Sequence, residues 1–277
     1  MSPPTVKPAS PAELAQFAML LEVTARGKPG NIDRCHDYAD TRLDHFLASA
    51  VLAKPVFSAV EEGRLSFGEA MRDAVARTNM HNGGNTHFGA FLLLLPLLAG
   101  RGIAGAVELV KKTTVTDAVL FYEAFGLTQV RVRRTKDPMD VNDPASVQRL
   151  RDEQITMYNV MEYSAPHDMV AREWTNGFAL TRRAADLLLG QDGGVCAIPA
   201  MFLTLMTEYP DTFIAKKFDE ATAEQVMHKA RDVQNGRRTL AAFDEECIQA
   251  GINPGSLADI CIAGIFTALL EGWKWDC

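Results

Sequence analysis

Gly83-Gly84-Asn85-Thr86-His87-Phe88-Gly89-Ala90-Phe91-Leu92-Leu93-Leu94-Leu95-Pro96-Leu97-Leu98 is the stretch from which the rest of the chain can be read. Two glycines make a turn, and three polar residues follow. An apolar run then extends over 88–98, interrupted by Pro96. It is far short of the ~20 residues a membrane-spanning helix needs, so it reads as a helix buried in a protein core. Asn85 or Thr86 is placed to cap it.

Outward from this run the pattern stays helical. Ser10 and Pro11 are placed as N-cap and first residue of a helix reaching Val23, which Gly27, Pro29 and Gly30 then break. A second helix is expected from about Asp40 to Glu62, with Leu43, Phe46, Leu47 and Ala50 at helical spacing and a kink or break at Pro55. Ser66 and Glu69 have capping-box spacing and open a helix toward Met80. Thr116-Asp117 opens another. Helices are expected again over 146–163, 167–189, 195–209, 221–233, 237–250 and 256–273. Only 128–144 resists. Its Gln129–Arg134 portion alternates apolar and basic residues, as a short strand or an ordered loop would, and a long loop of this kind often covers a site. No strand–turn–strand rhythm and no repeat appears. The expected fold is therefore all-α: a single compact multi-helix domain of roughly a dozen helices over 11–277, behind a flexible N-terminal tail over 1–10.

Composition narrows the function classes. The 277 residues are 47% hydrophobic and 23% charged, an ordinary globular balance. The net charge of −7 opposes nucleic-acid binding, while a local basic pocket could still hold a small phosphorylated ligand. Cys35, Cys196, Cys247, Cys261 and Cys277 form no C-x-x-C pair and read as reduced thiols of a cytoplasmic protein. The first residues lack the apolar core of a signal peptide. A small-molecule partner is expected, with neither nucleic acid nor membrane. Trp273 and Trp275 offer an apolar C-terminal surface through which a homodimer would form.

Four clusters could carry chemistry. In 22–44, Lys28, Asp33, Arg34, His36, Asp37, Asp40 and Asp44 crowd around a Gly-Pro-Gly break. If the segment is helical, Asp33, Asp37, Asp40 and Asp44 share one face and repel unless a cation is present. Mg²⁺, which typically bridges carboxylates to substrate phosphates, suits them; the plainer reading is a solvated acidic face. In 83–89, glycines allow close approach, a helix start favours phosphate, and Asn85, Thr86 and His87 add donors. The plainer reading is a glycine turn with a Thr cap. In 251–259, Pro254-Gly255 turns the chain, and Ser256 with Asp259 has capping-box spacing, which is either a cap alone or a second helix start aimed at the same pocket. Finally, Arg172 to Asn176 and Lys216-Lys217 supply cations that could neutralise a polyphosphate or simply face solvent. Nucleophile, dinucleotide and zinc motifs are missing.

In order, Glu22-Val23, Lys28-Pro29-Gly30, Asp33-Arg34, Asp40 ahead of Phe46 and Ser49, Gly84-Asn85-Thr86-His87 with Gly89, and Asn253-Pro254-Gly255 with Ala258-Asp259 resemble the triphosphoribosyl-dephospho-CoA synthase family. The resemblance spans nearly the whole chain. It implies an all-α, Mg²⁺-dependent transferase for which ATP is a substrate. The 2′-hydroxyl of 3′-dephospho-CoA attacks C1′ of the ATP ribose, adenine leaves, and the triphosphate stays on the transferred ribose. On that reading Asp40 or Asp37 takes the hydroxyl proton, with His87 beside it in a catalytic role. Lys28, Arg34, Asn85, Thr86, Asn253, Gly255, Ser256, Arg172 and Lys216 hold substrate and phosphates. Asp33, Asp37, Asp40 and Asp259 are the candidate metal ligands. Two positions depart from the family: Phe88 stands where members commonly have Lys, and Tyr38 where they often have His. Residues 165–176 and 208–218 look more like a shorter branch associated with one-carbon metabolism. The alternative is thus a relative acting in biosynthesis of a one-carbon carrier coenzyme of the tetrahydromethanopterin or methanofuran type.

Overall fold

The apolar run is a helix, α4 (Phe88–Ala99), buried without a break from Ala90 to Leu98. Each of its buried leucines contributes about 2 kcal/mol relative to exposure. Pro96 does not end it. Proline has no N–H to give the carbonyl four residues back, so the Leu92 oxygen loses its helical partner. The Trp174 indole fills the gap, its Nε1 donating to Leu92 O at 2.9 Å.

The computed structural model describes residues 9–84, 86–128, 139–141 and 143–276; these contain fifteen α-helices and no strand, and 69% of them are helical. Before α4 come α1 (Pro11–Thr24), α2 (Leu43–Glu61) and α3 (Phe67–Thr78). After it come α5 (Ile103–Val110), α6 (Val115–Gly126), α7 (Pro144–Asp152), α8 (Met157–Ser164), α9 (Met169–Asn176) and α10 (Ala179–Leu189). The chain closes with α11 (Ile198–Glu208), α12 (Thr212–Lys217), α13 (Glu220–Gln234), α14 (Leu240–Ala250) and α15 (Gly255–Leu270). Helices α4 and α15 form the centre, with α1, α2, α3, α9 and α10 packed around them. By length and composition α2 could cross a membrane; here it lies against α1, α3 and α4.

Local signals placed many helix starts. Ser10 with Glu13 and Ser66 with Glu69 form the expected capping boxes. Thr114 with Asp117 opens α6 in the same way, two residues ahead of the expected start. The expected break at Pro55 does not occur, since α2 runs through it. The expected helices over 146–163 and 167–189 are each two. The second divides at Gly177 and Phe178, both in the left-handed region with φ of 79° and 60°. The expected strand at 129–134 lies outside the described residues, as do residues 1–8 of the expected tail. Trp273 is buried, and Trp275 packs edge-on to Phe17 at 5.0 Å, so part of the C-terminal apolar surface is used within the chain.

Candidate active site

The break that follows α1 is held against the break that precedes α15 by side chains and close backbone approach. Residues 25–42 are irregular and α2 begins only at Leu43. The expected helical face of four carboxylates is therefore not formed. Gly30 passes so close to Ile252 that a Cβ would lie 2.3 Å from its carbonyl oxygen, and its φ of 72° also requires glycine. The Tyr38 hydroxyl lies 2.7 Å from Gly30 O and 3.0 Å from Ile252 O. Asp33, buried, accepts from Gly27 N and Cys35 N. Asp37, exposed, accepts from Leu43 N at 2.7 Å and so caps α2. Both carboxylates are committed to backbone groups that have no helical partner.

A cavity of about 810 Å³ opens beside this loop, within the range of small-molecule sites. Of the residues expected to form a site, it brings together Asp40, Thr86, His87, Lys216, Asn253, Gly255, Ser256 and Asp259. Lys28, Arg34, Asp33, Asp37 and Arg172 do not line it. Lys28 is fully buried behind it, 2.6 Å from Glu22. Arg34 is exposed. Arg172 donates to the carbonyls of Ala165 and Pro166, so its guanidinium closes the turn ahead of α9. Asn85 lies outside the described residues.

One wall is polar. Gly83 leaves room for the His45 ring, which would meet a Cβ at 2.0 Å. Gly84 turns the chain with a φ of 65°. His87 stands at the N-cap position of α4 without a side-chain cap bond, so the expected cap by Thr86 is not made. Its Nδ1 is 2.8 Å from Ser49 Oγ on α2, and Phe46 packs edge-on to the ring. Burial pushes its pKa down to about 3, with help from His81 and Lys28, so the imidazole is neutral at neutral pH. Three buried polar atoms of cavity residues have no partner among the described residues: Thr86 Oγ1, His87 Nε2 and Asn253 Oδ1. Buried polar groups are normally satisfied, so these mark places where a ligand would bond.

Carboxylates surround them. Asp259 reaches across from α15 to accept the Ala90 N–H. Gly89 permits this, since a Cβ there would fall 2.1 Å from Asp259 Oδ2. The expected Ser256–Asp259 capping box is thus not made, and Asp211 does the capping instead. It accepts from Phe213 N and Ile214 N at the start of α12 and from Leu257 N at the start of α15. Burial raises Asp211 to about 6. Asp259 stands well above the usual carboxylate range, through burial first and then its neighbours Glu22 and Asp211. Lys216 on α12 pairs with Asp168, which caps α9. Opposite this polar wall α4, α6 and α8 present an apolar one. Phe88, Phe121 and Phe125 pack together with centroids 4.6 to 5.7 Å apart, and Val160 and Met161 adjoin them. Phe88, the departure from the family pattern, belongs to this wall.

A metal would be held incompletely by the protein alone. Among the described residues no three His, Cys, Asp or Glu side chains gather as a metal-binding group. Asp33 and Asp37 are turned to backbone, and Asp259 is engaged by Ala90. Asp40, exposed at the cavity edge with Oδ1 3.4 Å from Thr41 Oγ1, is the candidate ligand not tied to backbone among the described residues. This fits a Mg²⁺ that arrives on substrate phosphates and takes one carboxylate, the usual habit of that ion.

Helix starts, unsatisfied donors and acceptors, a lysine and an apolar wall around one cavity define an all-α enzyme for a substrate that is part phosphate and part organic. Residues 8–277 match the family described as CitG, ATP:dephospho-CoA triphosphoribosyl transferase, and the chain belongs to that family. It is 26% identical to a "Probable 2-(5''-triphosphoribosyl)-3'-dephosphocoenzyme-A synthase" of Pseudomonas fluorescens, over 94% of this chain and 91% of the relative. A 2-(5''-triphosphoribosyl)-3'-dephosphocoenzyme-A synthase of Haemophilus ducreyi is 23% identical, over 92% and 86%. The crystal structure of a candidate triphosphoribosyl-dephospho-CoA synthase from Archaeoglobus fulgidus superimposes with a TM-score of 0.70 at 29% identity, covering 82% of this chain and all of that one. These names support the transferase reading and lend nothing to the one-carbon carrier alternative.

The residues that sequence reasoning missed are Glu22, Asn31 and Asp168 on the cavity wall and Asp211 behind it. Glu22 served only as a landmark of the resemblance. Its distance from the cavity depends on contacts that no local pattern encodes.

Proposed function

We propose that the cavity binds ATP and 3′-dephospho-CoA and joins the 2′-hydroxyl of the second to C1′ of the first, releasing adenine. The observation that carries this reading is the set of buried atoms without a partner among the described residues, Thr86 Oγ1, His87 Nε2 and Asn253 Oδ1, at helix starts facing an apolar wall. Displacement at an anomeric carbon needs the two partners held in line, and such positioning can supply a large share of the acceleration. The triphosphate does not react, so its anchors need only hold it. Lys216, Thr86, Asn253, Ser256 and the backbone at Gly255, which line the cavity, would supply those anchors. Asp40 would hold Mg²⁺ against the phosphates, and the ion would supply charge neutralisation there. Phe88, Phe121 and Phe125 keep water from the organic part of the substrates. Neutral His87 offers Nε2 as a hydrogen-bonding group at the reacting end, oriented by Ser49.

The test is stoichiometric. Purified protein with Mg-ATP and 3′-dephospho-CoA should release one adenine for each dephospho-CoA consumed, read by chromatography. Protein that binds both substrates yet releases no adenine would refute the reading.

A further inference from the structure

Glu22 and Lys28 form a buried pair that the account above does not use. Glu22 lies near the end of α1 and lines the cavity, and the two side chains are 3% and 0% exposed. Lys28 Nζ donates to Glu22 Oε1 at 2.6 Å and Asn31 Nδ2 donates to the same oxygen at 3.4 Å. Among the described residues no hydrogen bond falls on Oε2. A buried ion pair is weak support for stability because desolvation offsets most of its attraction. Its placement on a cavity wall, with one oxygen saturated and the other left over, points to chemistry.

The surroundings set the basicity of the group. Burial raises the Glu22 pKa; Lys28 opposes this, and Asp33 adds to it. From α15 Asp259 faces the same space, and from α4 neutral His87. The charged groups of α2 are engaged elsewhere: Lys54 donates to Ser58, Asp44 pairs with Arg42, and Glu61 accepts from Ala12 at the far end of α1. A carboxylate raised toward neutrality but kept available by a fixed cation is a good proton acceptor. Asp40, by contrast, is exposed at the cavity edge.

We propose that Glu22 is the general base of the transfer and Lys28 its positioning residue, an assignment that rests on the reaction of the preceding subsection. As the 2′-oxygen of 3′-dephospho-CoA bonds to C1′ of ATP, its proton passes to Glu22 Oε2. The C1′–N9 bond breaks with its electron pair going to adenine, which takes up one proton from water. The proton on Glu22 then returns to the hydroxide so formed.

Glu22→Gln, Lys28→Met and the double variant test this. Glu22→Gln should lower kcat about 10²- to 10⁴-fold and leave the Kd for ATP within about threefold of wild type. Alone it strands the Lys28 charge, which can unfold a protein. The double variant replaces the pair by neutral groups of similar volume and should be folded, ATP-binding and equally slow. Lys28→Met keeps the base but removes its cation, so the acid limb of the kcat profile should move up by about one to three pH units. Retention of more than about a tenth of kcat in the folded double variant would overturn the assignment of Glu22. A Lys28→Met loss equal at every pH would make Lys28 merely structural and overturn its role. If wild type itself releases no adenine, the transfer reading falls and this assignment falls with it; in the first two outcomes the transfer reading stands.

Discussion

Replacing Gly89 by Ala tests the link between α4 and α15 most directly. In an ordinary helix this change stabilises by up to about 1 kcal/mol, because alanine is the better helix former. Here the new Cβ would lie 2.1 Å from Asp259 Oδ2 and 2.8 Å from its Cγ. The carboxyl group must retreat by about 1 Å to reach ordinary contact, and the Ala90 N–H then loses its acceptor. Leaving a buried donor unmade costs about 1–3 kcal/mol, which exceeds the gain in propensity. A net loss of about 1–2 kcal/mol corresponds to a fall in Tm of roughly 2–8 °C for a chain of this size. Displacing Asp259 also disturbs the cavity wall, so ATP binding should weaken along with stability. Differential scanning calorimetry and equilibrium ATP titration of the same preparation make the measurement. A Gly89→Ala protein that melts at or above the wild-type temperature and binds ATP normally would show that the close approach does not matter.

Two further expectations follow from the same wall. Lys216→Ala should raise KM for ATP roughly tenfold with kcat changed little, as expected for a phosphate anchor used equally in ground and transition states; a fall in kcat at unchanged KM would assign it to the chemical step. Asp211 has a folded pKa of about 6 against an ordinary 3.8, so the folded state holds its proton more tightly. Its contribution is then full below about pH 4 and is lost as pH rises through 6, a difference of about 3 kcal/mol. Urea midpoints of wild type and Asp211→Asn taken from pH 4 to 7 should therefore diverge in that window; parallel profiles would contradict the burial of a protonated Asp211.

What was legible in the sequence was local. Ser10–Glu13, Ser66–Glu69 and the Gly83-Gly84 turn announce themselves because each signal and its consequence lie within a few residues. The spacing of Asp33, Asp37 and Asp40 misled because periodicity presumes a helix. A contact between residues 214 apart, Tyr38 with Ile252, fixes that segment as a loop instead. Asp40 alone of the three reaches the cavity. Asp211 caps two helices whose starts are separated by more than 40 residues, a role no pattern can show. Several of the segments that carry the family resemblance meet at one cavity. The resemblance could not tell that Lys28 stands behind the wall while Glu22 stands in it.

The bond between Trp174 and Leu92 gives the molecule a built-in optical reporter. Indole emission responds to hydrogen bonding at Nε1 and to the polarity around the ring. Trp174 is 1% exposed and sits on α9, whose Val170 and Ala171 line the cavity, while its partner carbonyl belongs to the central helix. Any shift of α9 on ligand binding therefore strains this bond and changes the emission of a residue that touches no substrate. The carbonyl that Pro96 left vacant makes the cavity wall visible to a fluorimeter without any label.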